Sequence, residues 1–117
     1  MSGSVLVVDD EQGIRDTLVA ILEDAGYEAL AVPDGQSALN AVRHSPVDVV
    51  VMDITMPGLS GLSVLEALGD PPPRVIMMTA HPVTDQQTQL MDERAFAFVR
   101  KPFAIPDLLD LVEAGCR

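Results

Sequence analysis

Residues 47–53 read VDVVVMD, a mostly β-branched apolar run that ends in the carboxylate of Asp53. A short run of this kind is typical of a strand that is covered on both faces in a parallel sheet. Two similar runs are Val5 to Val8 and Val75 to Met78, and two weaker ones are Tyr27 to Val32 and Phe96 to Val99. The sequence therefore predicts five strands.

Segments with helical spacing lie between these runs. The first is the clearest, because its apolar residues recur at intervals that place them on one helical face. They are Ile14, Leu18, Ile21, Leu22 and Ala25. Shorter patterns follow in three later segments: Ala38, Leu39 and Val42; Leu62, Val64, Leu65 and Leu68; Ile105, Leu108, Leu109 and Val112. Thr84 and Gln87, at capping-box spacing, predict the start of one more helix.

Strands that alternate with helices predict an α/β fold. Such a chain forms a doubly wound parallel sheet with right-handed crossovers and helices on both faces. We expect residues 1–117 to form a single domain, since no linker or repeat interrupts the pattern. In sheets of this kind the functional crevice lies at the carboxyl ends of the strands, near the point where strand order reverses.

Composition narrows the classes of function. Seven Lys and Arg against eighteen Asp and Glu give a net charge of −11, which argues against direct contact with nucleic acid or anionic lipid. Cys116 is the only cysteine, so a disulfide framework or a cysteine metal site is excluded and a reducing cytoplasm fits best. No apolar run approaches the ~18 residues of a membrane span, and the first residues lack the pattern of a signal peptide.

Polar residues follow the predicted strands at the points where they end: Asp9, Asp10 and Glu11; Asp53; Thr79; Lys101. Carboxylates that converge repel one another, and a hard divalent cation such as Mg²⁺ relieves the repulsion. The lysine adds a compact positive charge and the threonine a hydroxyl donor. Together they predict an anion site beside a metal, and a phosphoryl group is the anion that fits best. A carboxylate can itself be the nucleophile for such a group.

Four segments carry a resemblance to a known family: Leu6 to Glu11 (LVVDDE), Val51 to Pro57 (VMDITMP), Met78 to Ala80 (MTA) and Lys101 to Phe103 (KPF). Their order and their placement at strand ends resemble the receiver domain of two-component response regulators over essentially the whole chain. The resemblance implies a flavodoxin-like (βα)₅ sandwich with the strand order 2-1-3-4-5. It also implies a signalling switch of a two-component system and not an enzyme that turns over small substrates.

The resemblance assigns a role to each matching residue. Asp53 would accept a phosphoryl group from a histidine kinase or a phosphotransfer protein. Asp9, Asp10, Asp53 and the Thr55 carbonyl would hold Mg²⁺, with Mn²⁺ as a substitute. Thr79 and Lys101 would contact phosphoryl oxygens, and the Lys101–Pro102 peptide bond would be cis. Phe98 would be the aromatic switch residue.

Partner proteins would then read the face formed by helix 4, strand 5 and helix 5. Two residues bordering the route of water, Thr55 and His81, are expected to set the rate of dephosphorylation. Two positions depart from the family pattern. Arg94 stands where a helix-ending glycine is usual, and Phe96, usually polar, is expected on the same side as Phe98.

Other interpretations stay open at this point. Each acidic residue alone could cap a helix, Thr79 could simply end a strand, and Lys101 could be a solvated surface lysine. Phe96 and Phe98 could be core aromatics. At the level of function, the alternatives are a receiver-like module that binds partners without phosphorylation and a Mg²⁺-dependent phosphohydrolase. The phosphohydrolase would need a substrate pocket, for which 117 residues leave little room.

Overall fold

Strands and helices alternate along the chain in the computed structural model, which describes residues 3–69, 72–80 and 84–117. The strands are β1 (Ser4–Val8), β2 (Glu28–Val32), β3 (Val49–Asp53), β4 (Arg74–Thr79) and β5 (Ala97–Arg100). The helices are α1 (Gln12–Asp24), α2 (Gly35–His44), α3 (Gly61–Ala67), α4 (Asp85–Arg94) and α5 (Ile105–Gly115). The predicted alternation of strands and helices is confirmed.

The five strands form one parallel sheet in the order β2-β1-β3-β4-β5. The predicted doubly wound fold and its strand order are therefore confirmed. Strand order reverses between β1 and β3, which are neighbours with Val8 opposite Met52. The crevice expected at such a point lies beyond the carboxyl ends of these two strands.

The central strands are buried because both faces of the sheet are covered. Along β1, Leu6 and Val8 face a core shared with α2, α3 and α4, whereas Val5 and Val7 face a second core shared with α1 and α5. Strand β3 alternates in the same way, and all five of its residues are buried. The continuous apolar runs thus reflect a three-layer sandwich, in which a strand has no solvent face.

Helix α4 begins as its sequence predicts. Thr84 is the N-cap, and a complete capping box joins the Thr84 side chain to the Gln87 amide and the Gln87 side chain to the Thr84 amide. The helix ends without a left-handed residue, because Ala95 after Arg94 turns directly into extended backbone with φ −85° and ψ 147°. The helix therefore ends in an extended residue, Ala95, and not in the left-handed glycine cap that is usual in the family that the sequence resembles.

Several strand boundaries differ from the prediction by one or two residues, most of all the start of β3, which is Val49 and not Val47. Tyr27 lies outside β2 because its amide donates to the Leu22 carbonyl at 3.0 Å and completes the turn after α1. Phe96 precedes β5, although its amide already donates to the Val75 carbonyl at 2.8 Å. Among the described helices, none has both the length and the apolar character needed to cross a bilayer.

Candidate functional site

Three carboxylates meet beyond the carboxyl ends of β1 and β3. Asp9 and Asp10 follow β1 directly and Asp53 is the last residue of β3, so the pairing of these strands brings them together. One carboxylate oxygen from each lies within 4.8 Å of the others. Asp9 is fully buried and Asp53 is 8% exposed, whereas Asp10 faces solvent. The predicted acidic cluster is thus present, and its outer side is open.

The Lys101 ammonium joins the two buried carboxylates. Its Nζ donates to Asp53 Oδ2 at 2.8 Å and to Asp9 Oδ2 at 3.0 Å. Its own backbone amide donates to the Thr79 carbonyl at 2.7 Å, which anchors the end of β5 to the end of β4. Lys101 is therefore part of the acidic site and not a solvated surface lysine.

The charge state of Lys101 follows from these contacts. Burial by itself would lower the pKa of the ammonium, but the hydrogen bonds and negative charges of Asp53 and Asp9 outweigh it. The net effect raises the pKa of Lys101 above its ordinary value of 10.5. The ammonium is consequently charged at neutral pH and supplies fixed positive charge next to Asp53.

Backbone amides fix the orientation of the same two carboxylates. The Glu11 amide donates to Asp9 Oδ1 and the Thr55 amide donates to Asp53 Oδ1, both at 2.9 Å. Each carboxylate thus accepts one backbone hydrogen bond on Oδ1 and the lysine on Oδ2. Side chains held in this way lose little freedom when a ligand arrives, which favours a defined geometry for chemistry.

The donor set fits a hard divalent cation. Three carboxylates lie close together and a single ammonium contacts two of them, so their negative charge exceeds the positive charge in direct contact with them. Mg²⁺ prefers oxygen ligands and keeps several waters, which suits a site with two buried carboxylates and one exposed one. Asp9, Asp10 and Asp53 are the residues in place to hold such an ion.

Thr79, Thr55 and the Lys101–Pro102 bond lie among the described residues, whereas His81 does not. Thr79 ends β4, is buried, and follows Met78, which lies opposite Asp53 in the sheet. Thr55 is exposed and lies two residues after Asp53. The Lys101–Pro102 peptide bond is cis, as predicted. His81 lies outside the described residues, so its predicted place beside the site stays a prediction.

Both aromatics near β5 face solvent. Phe98 is 42% exposed and Phe96 is 37% exposed, so neither is a core aromatic. The Arg74 guanidinium carbon lies 5.0 Å from the centre of the Phe96 ring, a cation–π contact at the foot of β4. An apolar surface is therefore available at the edge of the sheet, between α4 and α5.

Two residues that support the site were not predicted from the sequence. Arg15 on α1 donates from its guanidinium to the Asp9 carbonyl at 2.7 Å. Gly61, the first residue of α3, is buried and donates its amide to the Ile54 carbonyl at 2.9 Å. The only feature of the sequence that points to Arg15 is its position one helical turn after Glu11. A single sequence contains no feature that points to Gly61.

Comparison with known proteins places these features in a family. The family model for the response regulator receiver domain matches residues 5–113. The chain is 36% identical over 117 residues to the sensory transduction protein RegX3 of Mycolicibacterium smegmatis, covering 97% of this chain and 50% of that protein. It is 37% identical over 113 residues to the DNA-binding transcriptional regulator NtrC of Escherichia coli K12, covering 95% of this chain and 24% of that protein. The chain thus spans half the length of one of these relatives and about a quarter of the other.

Solved structures give the same result. A response regulator receiver domain protein from Clostridium thermocellum superposes with a TM-score of 0.89 at 31% identity, covering 97% of this chain and 94% of that one. The chemotaxis protein CheY4 of Vibrio cholerae gives 0.88 at 28% identity, covering 97% and 98%. Since the family model covers nearly the whole chain and the fold agrees in strand order, this protein belongs to the response regulator receiver domain family.

Proposed function

We propose that this domain is a phosphorylation-dependent switch in which Asp53 is the phosphoacceptor. The observation that carries the proposal is the setting of the Asp53 carboxylate. It lies at the end of the central strand, oriented by the Thr55 amide and the Lys101 ammonium, with two further carboxylates within 4.8 Å. The proposed nucleophile, a fixed positive charge and the proposed cation site thus lie together at the carboxyl edge of the sheet.

The proposed reaction transfers a phosphoryl group from a phosphohistidine of a sensor histidine kinase or a phosphotransfer protein. An Asp53 carboxylate oxygen attacks phosphorus, the P–N bond to the donor histidine breaks, and its electron pair stays on the imidazole nitrogen. The Lys101 ammonium neutralises negative charge that develops on the transferred group. Asp9, Asp10 and the Thr55 carbonyl would complete a Mg²⁺ or Mn²⁺ site with Asp53, and the bound cation would neutralise phosphoryl oxygens.

The acyl phosphate is lost when water attacks phosphorus and the bond to the Asp53 oxygen breaks, which regenerates the carboxylate and releases phosphate. Thr55 is exposed two residues from Asp53, and we propose that it and His81 set this rate. The domain in this scheme modifies and restores itself, and does not turn over small substrates.

The output of the switch uses Thr79 and Phe98. A phosphoryl dianion on Asp53 would attract the Thr79 hydroxyl, and Phe98, now 42% exposed, would turn inward as Thr79 moves. Phenylalanine has no hydroxyl, so packing alone would drive its rotation. The face formed by α4, β5 and α5 would change shape and be read by a downstream protein or output domain.

The nature of the partners follows from charge and from length. The net charge of −11 disfavours direct contact of this domain with nucleic acid. The curated relatives RegX3, NtrC and MtrA are about twice as long or longer, and NtrC and MtrA are named as DNA-binding regulators. We propose that an output segment outside this domain would provide that contact. A cytoplasmic location matches the proposed protein phosphodonor.

Intact mass spectrometry tests the proposal directly. The protein is incubated with Mg²⁺ and a small acyl phosphate, beside an Asp53→Asn variant and a metal-free sample. One added phosphoryl group in the wild type, absent from both controls, is the expected result. An unmodified mass together with release of phosphate would indicate rapid hydrolysis of the adduct. An unmodified mass without phosphate release, in folded protein, would favour the module that binds partners without phosphorylation.

A further inference from the structure

The geometry points to Gly61 as a positioning residue for the phosphoacceptor, an inference that rests on the function proposed for Asp53. The backbone of Asp53 and Ile54 lies directly against the first turn of α3. The Gly61 amide donates to the Ile54 carbonyl at 2.9 Å, so the helix start and the strand end share a hydrogen bond. The contact leaves no room for a side chain at position 61.

A methyl group at position 61 would meet the backbone that carries the acceptor. Its Cβ would overlap the Asp53 carbonyl oxygen and lie 2.9 Å from the Ile54 Cα, with the Met77 methyl at 3.0 Å. The first two atoms belong to the main chain and cannot rotate away, as the end of a flexible side chain could. The segment from Asp53 to Thr55, or the start of α3 that is hydrogen-bonded to it, would therefore have to move.

Such a movement would be transmitted to the reacting atoms. The Ile54 amide bonds the Met78 carbonyl and the Thr55 amide bonds Asp53 Oδ1, both at 2.9 Å, so this segment orients the carboxylate. It also carries the Thr55 carbonyl assigned to the cation. Displacements of about 1 Å can lower a phosphoryl or acyl transfer rate by about 100-fold, because in-line attack depends on geometry. Glycine at position 61 thus lets α3 press against the acceptor segment and fix its place.

Helix α2 provides a matched control. Gly35 is also a buried glycine at the first position of its helix, directly after an N-cap residue whose side chain caps the helix. A Cβ at Gly35 would be crowded too, at 2.6 Å from Val64 Cγ2 and 2.9 Å from Leu59 Cβ. The Leu59 carbonyl oxygen follows at 3.2 Å, and none of these atoms belongs to the segment from Asp53 to Thr55. Gly35→Ala therefore introduces similar crowding without pressing on Asp53.

The experiment compares wild type, Gly61→Ala, Gly35→Ala and Asp53→Asn. Three quantities are measured: urea stability, Mg²⁺ affinity by calorimetry, and the phosphorylation rate of folded protein with a small acyl phosphate. Both glycine variants are expected to lose stability. Gly61→Ala alone is expected to lose about tenfold or more in phosphorylation rate, with weaker Mg²⁺ binding and shifted NMR signals of the Ile54 and Thr55 amides.

Equal losses of rate in the two glycine variants, or a wild-type rate in Gly61→Ala, would overturn the inference. If Gly61→Ala unfolds in buffer, all four proteins are measured in trimethylamine N-oxide, which favours folded states. Failure of Gly61→Ala to fold there, while Gly35→Ala folds, would leave Gly61 a purely structural role and also overturn it. Failure of the proposed function has a different signature, since wild type and Asp53→Asn would then both stay unmodified.

Discussion

The charge balance of the acidic cluster depends on the Lys101 side chain. It bridges Asp9 and Asp53 with hydrogen bonds of 3.0 and 2.8 Å, and no buried polar side-chain atom in the described part of the chain is left without a partner. In the absence of a cation this bridge separates two carboxylates that would otherwise repel. Lys101 thus offsets the repulsion between these carboxylates, and in the proposed switch it would also supply positive charge to the phosphoryl group.

Replacing Lys101 by methionine separates these roles. Without Mg²⁺, Lys101→Met is expected to lower the free energy of unfolding by about 1–3 kcal/mol, because it leaves two buried carboxylates without their shared donor. Saturating Mg²⁺ supplies positive charge to the same carboxylates and should narrow the difference. Urea unfolding with and without Mg²⁺ measures both values. A difference that Mg²⁺ leaves unchanged would show that the cation and Lys101 act on separate groups.

Helix α4 has the fewest buried residues of the five described helices. Met91 is its only buried residue, Leu90 packs partly against the same core, and its other eight residues are polar. Its stability therefore depends strongly on the capping box of Thr84 and Gln87. Helices with few apolar contacts open locally more readily than core elements.

Thr84→Ala is expected to lower the free energy of unfolding by about 1 kcal/mol, the usual loss for an N-cap. Amide hydrogen exchange should quicken in α4, while protection in β1 and β3 follows only the global change. Thr84→Ser keeps the capping oxygen and serves as the control. Uniform loss of protection across the molecule would show that α4 opens only with the whole domain.

Helix α2 has a titratable cap, which makes its stability depend on pH. The Ser37 amide donates to Asp34 Oδ1 at 2.8 Å, and this hydrogen bond lowers the pKa of Asp34 below its ordinary value of 3.8. A carboxylate with a lowered pKa contributes stability that is full above the unfolded value and is lost as pH falls through the folded one. Asp34→Asn keeps a capping oxygen that does not titrate in this range.

We therefore expect the stability advantage of the wild type over Asp34→Asn to shrink as pH falls from about 6 toward 3. An NMR titration of the Asp34 carboxyl, expected below 3.8, and urea unfolding of both proteins at each pH provide the measurements. An advantage that grows with acidity would contradict the assignment of Asp34 as an ionised cap.

The sequence predicts the elements best where burial is complete. Strands β1, β3 and β4 are central in the sheet and stand out as apolar runs, whereas the edge strands β2 and β5 give weaker runs. Boundaries are predicted less well, since Val47, Tyr27 and Phe96 belong to apolar runs but precede β3, β2 and β5. An apolar run reflects burial, whereas a strand begins where its hydrogen bonds to the neighbouring strand begin. The departure at Arg94 was predictable only as a missing glycine cap, because the turn that replaces it depends on how α4 meets β5.

At the scale of the whole molecule, the topology makes the acidic site predictable. Asp9, Asp10, Asp53 and Lys101 each follow or end a strand, and a parallel sheet brings such ends to one edge. Arg15 and Gly61 could not be predicted, because their roles depend on where α1 and α3 pack against the strand ends. Residues placed by the sheet are thus visible in sequence, and residues placed by helix packing are not.

The net charge of the whole molecule determines how its stability responds to salt. A chain of net charge −11 repels itself, so screening by monovalent salt is expected to stabilise it gradually. Mg²⁺ should add a second effect, because its binding to the acidic cluster of the folded state raises the free energy of unfolding by about 2.7 kcal/mol at a concentration 100 times the dissociation constant. NaCl at the same ionic strength lacks this contribution from site binding.

Asp10→Asn distinguishes the two effects, since it removes the exposed carboxylate of the cluster and leaves the Lys101 bridge to Asp9 and Asp53 intact. We expect this variant to keep the gradual response to NaCl and to lose most of the additional stabilisation by Mg²⁺. Asp16→Asn, an exposed acidic residue on α1, makes the same change in net charge and should retain both. Urea unfolding of the three proteins, at matched ionic strength in NaCl or MgCl₂, provides the measurement. Equal Mg²⁺ responses in the two variants would show that the cation acts on the overall charge of the domain, and the metal site assigned to the strand ends would then be wrong.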